Sequence, residues 1–218
     1  MSLELRDVFR EQIRAILRAS PFGSLKVLFP MISSVREMKD IHSILNEEKV
    51  RLRERRIPFN DTIKIGILLE VPAAVVILEK LLRYADFVSV GTNDLVQFVL
   101  AVDRNNQKVA PIYNPLHPAV IATILEIASV CNRQDKPVVI CGEAAANPKC
   151  AYLYMGMGID QLSMNAPSVP VIKHLIRNVE QAQSQEVLRR VLLMDDTDEI
   201  EYFVHDSISP LLRGLIDE

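Results

Sequence analysis

The stretch "FVSVGTNDLVQFVLAVDRNN", residues 87–106, decides the fold. Phe87, Val88, Ser89 and Val90 form a short run of strand character, and Gly-Thr-Asn-Asp arrives where such a strand should leave the core. Leu95, Phe98 and Val99 then recur at helical spacing, and Arg104 follows beyond the helix. A strand, a polar turn and a helix therefore succeed one another without a break.

The same beat repeats on both sides. Runs at 26–31, 64–70, 137–143 and 161–165 read as further strands, giving five with 87–92. Most are continuously apolar rather than alternating, the pattern of strands covered on both faces in a parallel sheet. Helical patterns lie between them. Ser34 with Glu37 reads as a capping box, Pro72 opens a helix to about Arg83, Pro118 opens another, and Asn147-Pro148 starts a fourth. An amphipathic helix at 3–18 comes first, and a helical tail at 168–216, interrupted near Asp195–Asp198, comes last.

The expected organisation is a leading helix in 1–20, five strand–helix units in 26–165 and C-terminal helices in 168–218. Strands alternating with helices predict an α/β fold with a parallel sheet. Five strands are too few to close a (β/α)8 barrel, so periodicity leaves two options, an open sheet or part of a TIM-type barrel.

Composition narrows the function classes. The net charge of −3 argues against a nucleic-acid surface. The one basic cluster, Lys49 to Arg56, contains Glu54 and reads as a solvated helix end. No apolar run is long enough to insert in a membrane. Cys131, Cys141 and Cys150 form no CxxC pair, which suits a reducing cytoplasm.

Polar residues gather at the C-terminal ends of the strands: Glu70, Asn93 with Asp94, Cys141 with Glu143, and Ser163 with Asn165. In parallel α/β folds ligands bind at that edge. Each residue also has a plain reading. Asn93 or Asp94 can cap the following helix, Glu70 can be a loop carboxylate, Cys141 a small buried apolar side chain, and Arg104 a local surface partner. Their shared edge favours a site. Two carboxylates without a histidine in ligand spacing suit Mg2+ better than Zn2+. Arg104 suits a carboxylate or phosphate, and the Cys141 thiol can give a proton. Together they fit a phosphorylated or oxo acid that passes through an enolate.

Six segments, "FPMI" (29–32), "ILLEVPAA" (67–74), "VGTNDLVQFVLAVDRNN" (90–106), "HPAV" (117–120), "CGEAAANP" (141–148) and "MGMGIDQLSMN" (155–165), resemble the phosphoenolpyruvate-binding domain of enzyme I. Enzyme I is the phosphoenolpyruvate–protein phosphotransferase of the bacterial sugar phosphotransferase system. "DRNN" and "HPAV" look closer to its nitrogen-related paralogue. The resemblance implies a partial (β/α)8 TIM-type barrel, roughly its last five strands, with the first strands absent from the chain. It implies Glu70 and Asp94 as Mg2+ ligands and Asn93, Asp94 and Arg104 as contacts to phosphoenolpyruvate. Cys141 is implied as the catalytic proton donor that yields pyruvate. It further implies a cytoplasmic homodimer, a phosphoryl-accepting histidine on a separate domain, and a phosphocarrier protein as downstream partner. None of His42, His117, His174 or His205 lies in the family's phosphohistidine motif, so the chain alone is expected to transfer no phosphate. Two rival readings remain: a metal-dependent lyase or aldolase that handles pyruvate, and a ligand-sensing dimerisation module.

Overall fold

A computed structural model describes residues 5–212. Its centre is a five-stranded parallel sheet: β1 (Lys26–Phe29), β2 (Lys64–Leu69), β3 (Phe87–Gly91), β4 (Val138–Cys141) and β5 (Gln161–Ser163). Spatial order equals chain order, β1-β2-β3-β4-β5. A doubly wound sheet reverses direction at a switch point. Here nothing reverses, and crossovers of one hand then place the helices on one side of the sheet. The architecture is an arc of a barrel, which settles the choice that periodicity left open.

The helices are α1 (Arg6–Ala19), α2 (Val35–Glu54), α3 (Pro72–Val76), α4 (Leu78–Leu81), α5 (Thr92–Val99), α6 (Pro118–Arg133), α7 (Glu143–Ala146), α8 (Pro148–Gly156), α9 (Val169–Asn178), α10 (Gln181–Val191) and α11 (Thr197–Ile208). The expected starts are present. The Ser34 hydroxyl accepts from the Glu37 N–H while the Glu37 side chain accepts from the Ser34 N–H, closing the capping box of α2. Pro72 and Pro118 open α3 and α6, and Asn147 caps α8 through the Lys149 N–H. The helix expected from Pro72 to Arg83 is instead broken at Ile77, whose backbone (φ −110°, ψ 18°) leaves the helical region. The tail breaks between α10 and α11 as read, and also at Val179, where the chain turns extended. The tail's expected end at 216 lies outside the described residues.

The two faces of the sheet differ. Val27, Phe29, Ile65, Ile67, Leu69, Val88, Val90, Val138 and Ile140 are all buried under the helices. Such side chains supply about 25 cal/mol per Å2 of apolar surface removed from water. The alternate residues point into the concave side. There Leu28 is 39% exposed, while Leu68, Phe87 and Val139 are half-buried. The continuous apolar runs had suggested cover on both faces. One face is only partly covered, because five strands curve without closing.

Helix α1 is clamped to α2 by a buried acid. Glu48 has no exposed surface, accepts from Arg14 Nε at 2.6 Å and from Arg51 Nη1 at 2.9 Å, and lies 3.9 Å from Arg10 Nη1.

Candidate active site

Strand register sets the site. Leu69 pairs with Val90, so β2 and β3 end side by side, and Gly91 pairs with Cys141, bringing β4 level. Glu70, Gly91 and Cys141 thus share one rim on the concave face.

Glu70 is 4% exposed, and its Oε1 accepts from the Met31 N–H at 2.8 Å. Met31 reaches this bond from a left-handed backbone, φ 56°, just after β1. Such a conformation costs a non-glycine residue about 1 kcal/mol or more and is common at functional sites. Burial pushes the Glu70 carboxyl above its ordinary range against the Met31 bond, and the adjacent Asp94 carboxylate pushes it the same way. Two like charges held together invite a cation.

Asp94 and Asn93 stand in the first turn of α5, whose N-cap is Gly91, so neither is the cap. Freed from that duty, Asn93 Oδ1 accepts from the Glu143 N–H at 3.0 Å. The turn that permits this depends on Gly142 at φ 114°. Thr92 Oγ1 donates to the Cys141 carbonyl at 2.9 Å, fastening α5 to β4.

Arg104 follows α5 in a loop. Its neighbour Asp103 is engaged locally, Asp103 Oδ1 accepting the Asn105 N–H at 2.9 Å in a turn. Arg104 instead lines an open cleft of about 470 Å3 with Asn93, Asn105, Ala110, Tyr113 and Glu143. The Tyr113 hydroxyl donates to the Asn93 carbonyl at 3.3 Å. Burial and then the charge of Glu143 raise the Tyr113 phenol, while Arg104 lowers it.

Cys141 is half-buried on the concave face, its sulfur accepting from Ser89 Oγ and its S–H donating to the Val90 carbonyl, both at 3.3 Å. Burial pushes the other two thiols, Cys131 and Cys150, to about 12. Cys141 is the one accessible thiol of the three.

Glu70, Asp94, Asn93, Arg104 and Cys141 are therefore gathered at one edge. Asn165, at the end of β5, caps the following turn, its Oδ1 accepting from the Ser168 N–H. Tyr113, Ser89 and Met31 escaped the sequence reading. Tyr113 lies in a loop without periodicity, and the Met31 backbone conformation has no signature in a residue of its type.

The model of the phosphoenolpyruvate-binding domain of phosphoenolpyruvate-utilising enzymes matches residues 1–181. The chain belongs to this family. It is 42% identical over 197 residues to the phosphoenolpyruvate-protein phosphotransferase of Haemophilus influenzae, covering 90% of the chain and 34% of that protein. The protein of the same name from Buchnera aphidicola subsp. Schizaphis graminum is 40% identical, covering 92% of the chain and 35% of that protein. The Bacillus subtilis protein is 35% identical, covering 95% and 36%. The chain thus spans about a third of the length of these relatives. A citrate lyase from Burkholderia xenovorans superposes with a TM-score of 0.56 at 18% identity, covering 95% of this chain and 71% of that one. At that identity the likeness speaks to the fold alone. Among the described residues no helix is long and apolar enough to cross a membrane.

Proposed function

We propose that this chain is the phosphoenolpyruvate-binding part of a phosphoenolpyruvate–protein phosphotransferase. The carrying observation is the Glu70–Asp94 pair set at the rim beside the Asn93–Arg104 cleft. Among the described residues no cluster of three His, Cys, Asp or Glu could hold a metal. A site of two hard carboxylates fits Mg2+, which keeps water and substrate oxygens in its remaining positions, and Glu70 and Asp94 would hold it. When bound, the ion would offset the negative charge of the substrate oxygens.

The chain's own residues do the rest. Arg104 would fork onto a carboxylate or phosphate, and the Asn93 amide, its oxygen tied to Glu143, keeps its NH2 for a second substrate oxygen. The phosphorus–oxygen bond breaks and the phosphoryl group passes to a histidine nitrogen, leaving an enolate. Cys141 gives its proton to the methylene carbon of that enolate, so a C–H bond forms and a thiolate remains. The acceptor is not one of the four histidines here. His42 bonds the Tyr84 carbonyl, His117 caps α6, His174 meets the Leu211 carbonyl and His205 meets Ser209, all outside the cleft. A histidine from another domain would enter, and a phosphocarrier protein, a homodimeric state and a cytoplasmic location belong to the same proposal.

The test uses the partial reaction this chain can perform by itself. With Mg2+ and pyruvate in D2O, the Cys141 thiolate should remove a C3 proton and return a deuteron, building label into the methyl group. Label should fall to background in Cys141→Ala and Asp94→Asn. Equal labelling in those variants and the wild type would overturn the proposal.

A further inference from the structure

Ser89 is a polar residue on an otherwise apolar strand, only 6% exposed, and it is not needed to build the sheet. A buried hydroxyl requires a partner. Its partner is the Cys141 sulfur, 3.3 Å away. The register explains the meeting: Ser89 pairs with Val139 and Gly91 with Cys141, so Ser89 and Cys141 are diagonal neighbours on the concave face. The sulfur therefore has a donor on one side and, through its own S–H, the Val90 carbonyl on the other.

We infer that Ser89 is a positioning residue for the Cys141 thiol, its hydroxyl fixing the sulfur in one orientation and stabilising it once its proton has left. This rests on the reading of Cys141 as the proton donor and assigns the group that acts through it. A cysteine side chain has a single χ1 torsion, and the two hydrogen bonds together define its rotamer. When the S–H proton moves to carbon, the Val90 carbonyl loses its donor. The Ser89 hydroxyl then faces a negative sulfur and becomes a charge-assisted donor. Ser89 is itself flanked across the sheet by the apolar Leu68 and Val139. Ser163 of β5 stands beside Cys141, yet among the described residues the hydroxyl that donates to the sulfur is that of Ser89.

Two measurements on the 218-residue chain read the contact without requiring turnover. The infrared S–H band, taken as the difference between the wild type and Cys141→Ala, isolates this thiol from Cys131 and Cys150. It is expected at the frequency of a hydrogen-bonded thiol and should move in Ser89→Ala, while Ser89→Thr, which keeps the hydroxyl, should restore it. Iodoacetamide should alkylate Cys141 about fivefold more slowly in Ser89→Ala at pH 8, the loss of one hydrogen bond of about 1 kcal/mol, and at the wild-type rate in Ser89→Thr. A purely structural role predicts the reverse, since a smaller neighbour opens the sulfur to reagent. An S–H band at the position of a solvated thiol in the wild type, or alkylation equal or faster in Ser89→Ala, overturns the inference. Loss of pyruvate labelling in Ser89→Ala alongside an unchanged band would equally overturn it. Absence of labelling in the wild type strikes the proton-donor reading, whereas the band and the alkylation rate continue to decide the contact.

Discussion

A carboxylate oxygen of Glu70 lies so near Gly91 that a Cβ on that glycine would stand 3.0 Å from it. The Gly91 backbone, at φ −80°, is open to any residue. Glycine is needed there for space alone. Gly91→Ala should therefore fold while displacing Glu70 Oε2 by a few tenths of an ångström. On the proposed role of Glu70 as a Mg2+ ligand, Mg2+ affinity should then fall about tenfold. Calorimetric titration with Mg2+ checks this, and unchanged affinity would remove Glu70 from the ligand set.

Gly142 is different, because its backbone itself excludes side chains. At φ 114° an added Cβ would also stand 2.5 Å from Thr92 Oγ1 and 2.8 Å from Asn93 Oδ1. Gly142→Ala is expected to lose about 1–3 kcal/mol in urea unfolding. On the proposed role of Asn93 it should weaken pyruvate binding as well, since the amide cannot keep its place.

Acid should loosen the bottom of the sheet. Asp86 accepts from the Ile65 N–H and Lys64 Nζ, both at 2.9 Å, tying β2 to the start of β3. Burial works to raise its carboxyl, but the Ile65 and Lys64 bonds outweigh it and the net shift is downward. An acid with a lowered folded value is stabilising above its unfolded value, about 3.9. That contribution disappears as pH falls through the lower folded value. Melting curves from pH 6 to pH 2 should show the wild type losing stability over that span, and Asp86→Asn losing less of it. Asp86→Ala at pH 7 should cost about 1–3 kcal/mol, because the Ile65 N–H is left without a partner.

The Glu48 clamp predicts a contrast between two substitutions. Glu48→Ala removes the shared acceptor of Arg14 and Arg51, and since both arginines reach solvent the expected cost is about 2 kcal/mol. Glu48→Leu fills the same buried space with apolar atoms and should lie close to the wild type. Chemical denaturation of the pair separates the two values.

Much of the architecture was legible in the residues. Five strands, their parallel arrangement and the helix starts at Ser34, Pro72, Pro118 and Asn147 follow from local chemistry that tertiary contacts leave intact. The gathering of Glu70, Asp94, Asn93 and Cys141 was legible too, because strands of one direction put their ends on one edge. What escaped depends on side chains meeting across strands. Ser89 reads as a small residue in an apolar run until the register places it beside Cys141. Tyr113 reaches Asn93 only through the path of a long loop. The break at Ile77 was hidden because Val75, Val76, Ile77 and Leu78 carry no glycine or proline to announce it.

The order β1-β2-β3-β4-β5 also bears on how the molecule assembles. Among the described strands, β2, β3, β4 and β5 each pair with the strand that precedes it in the chain. Emerging from the ribosome, the chain can add one strand and its helix at a time, each on a template already in place. The rim bearing Glu70, Asp94 and Cys141 is then complete as soon as β4 docks, before the last three helices have been made.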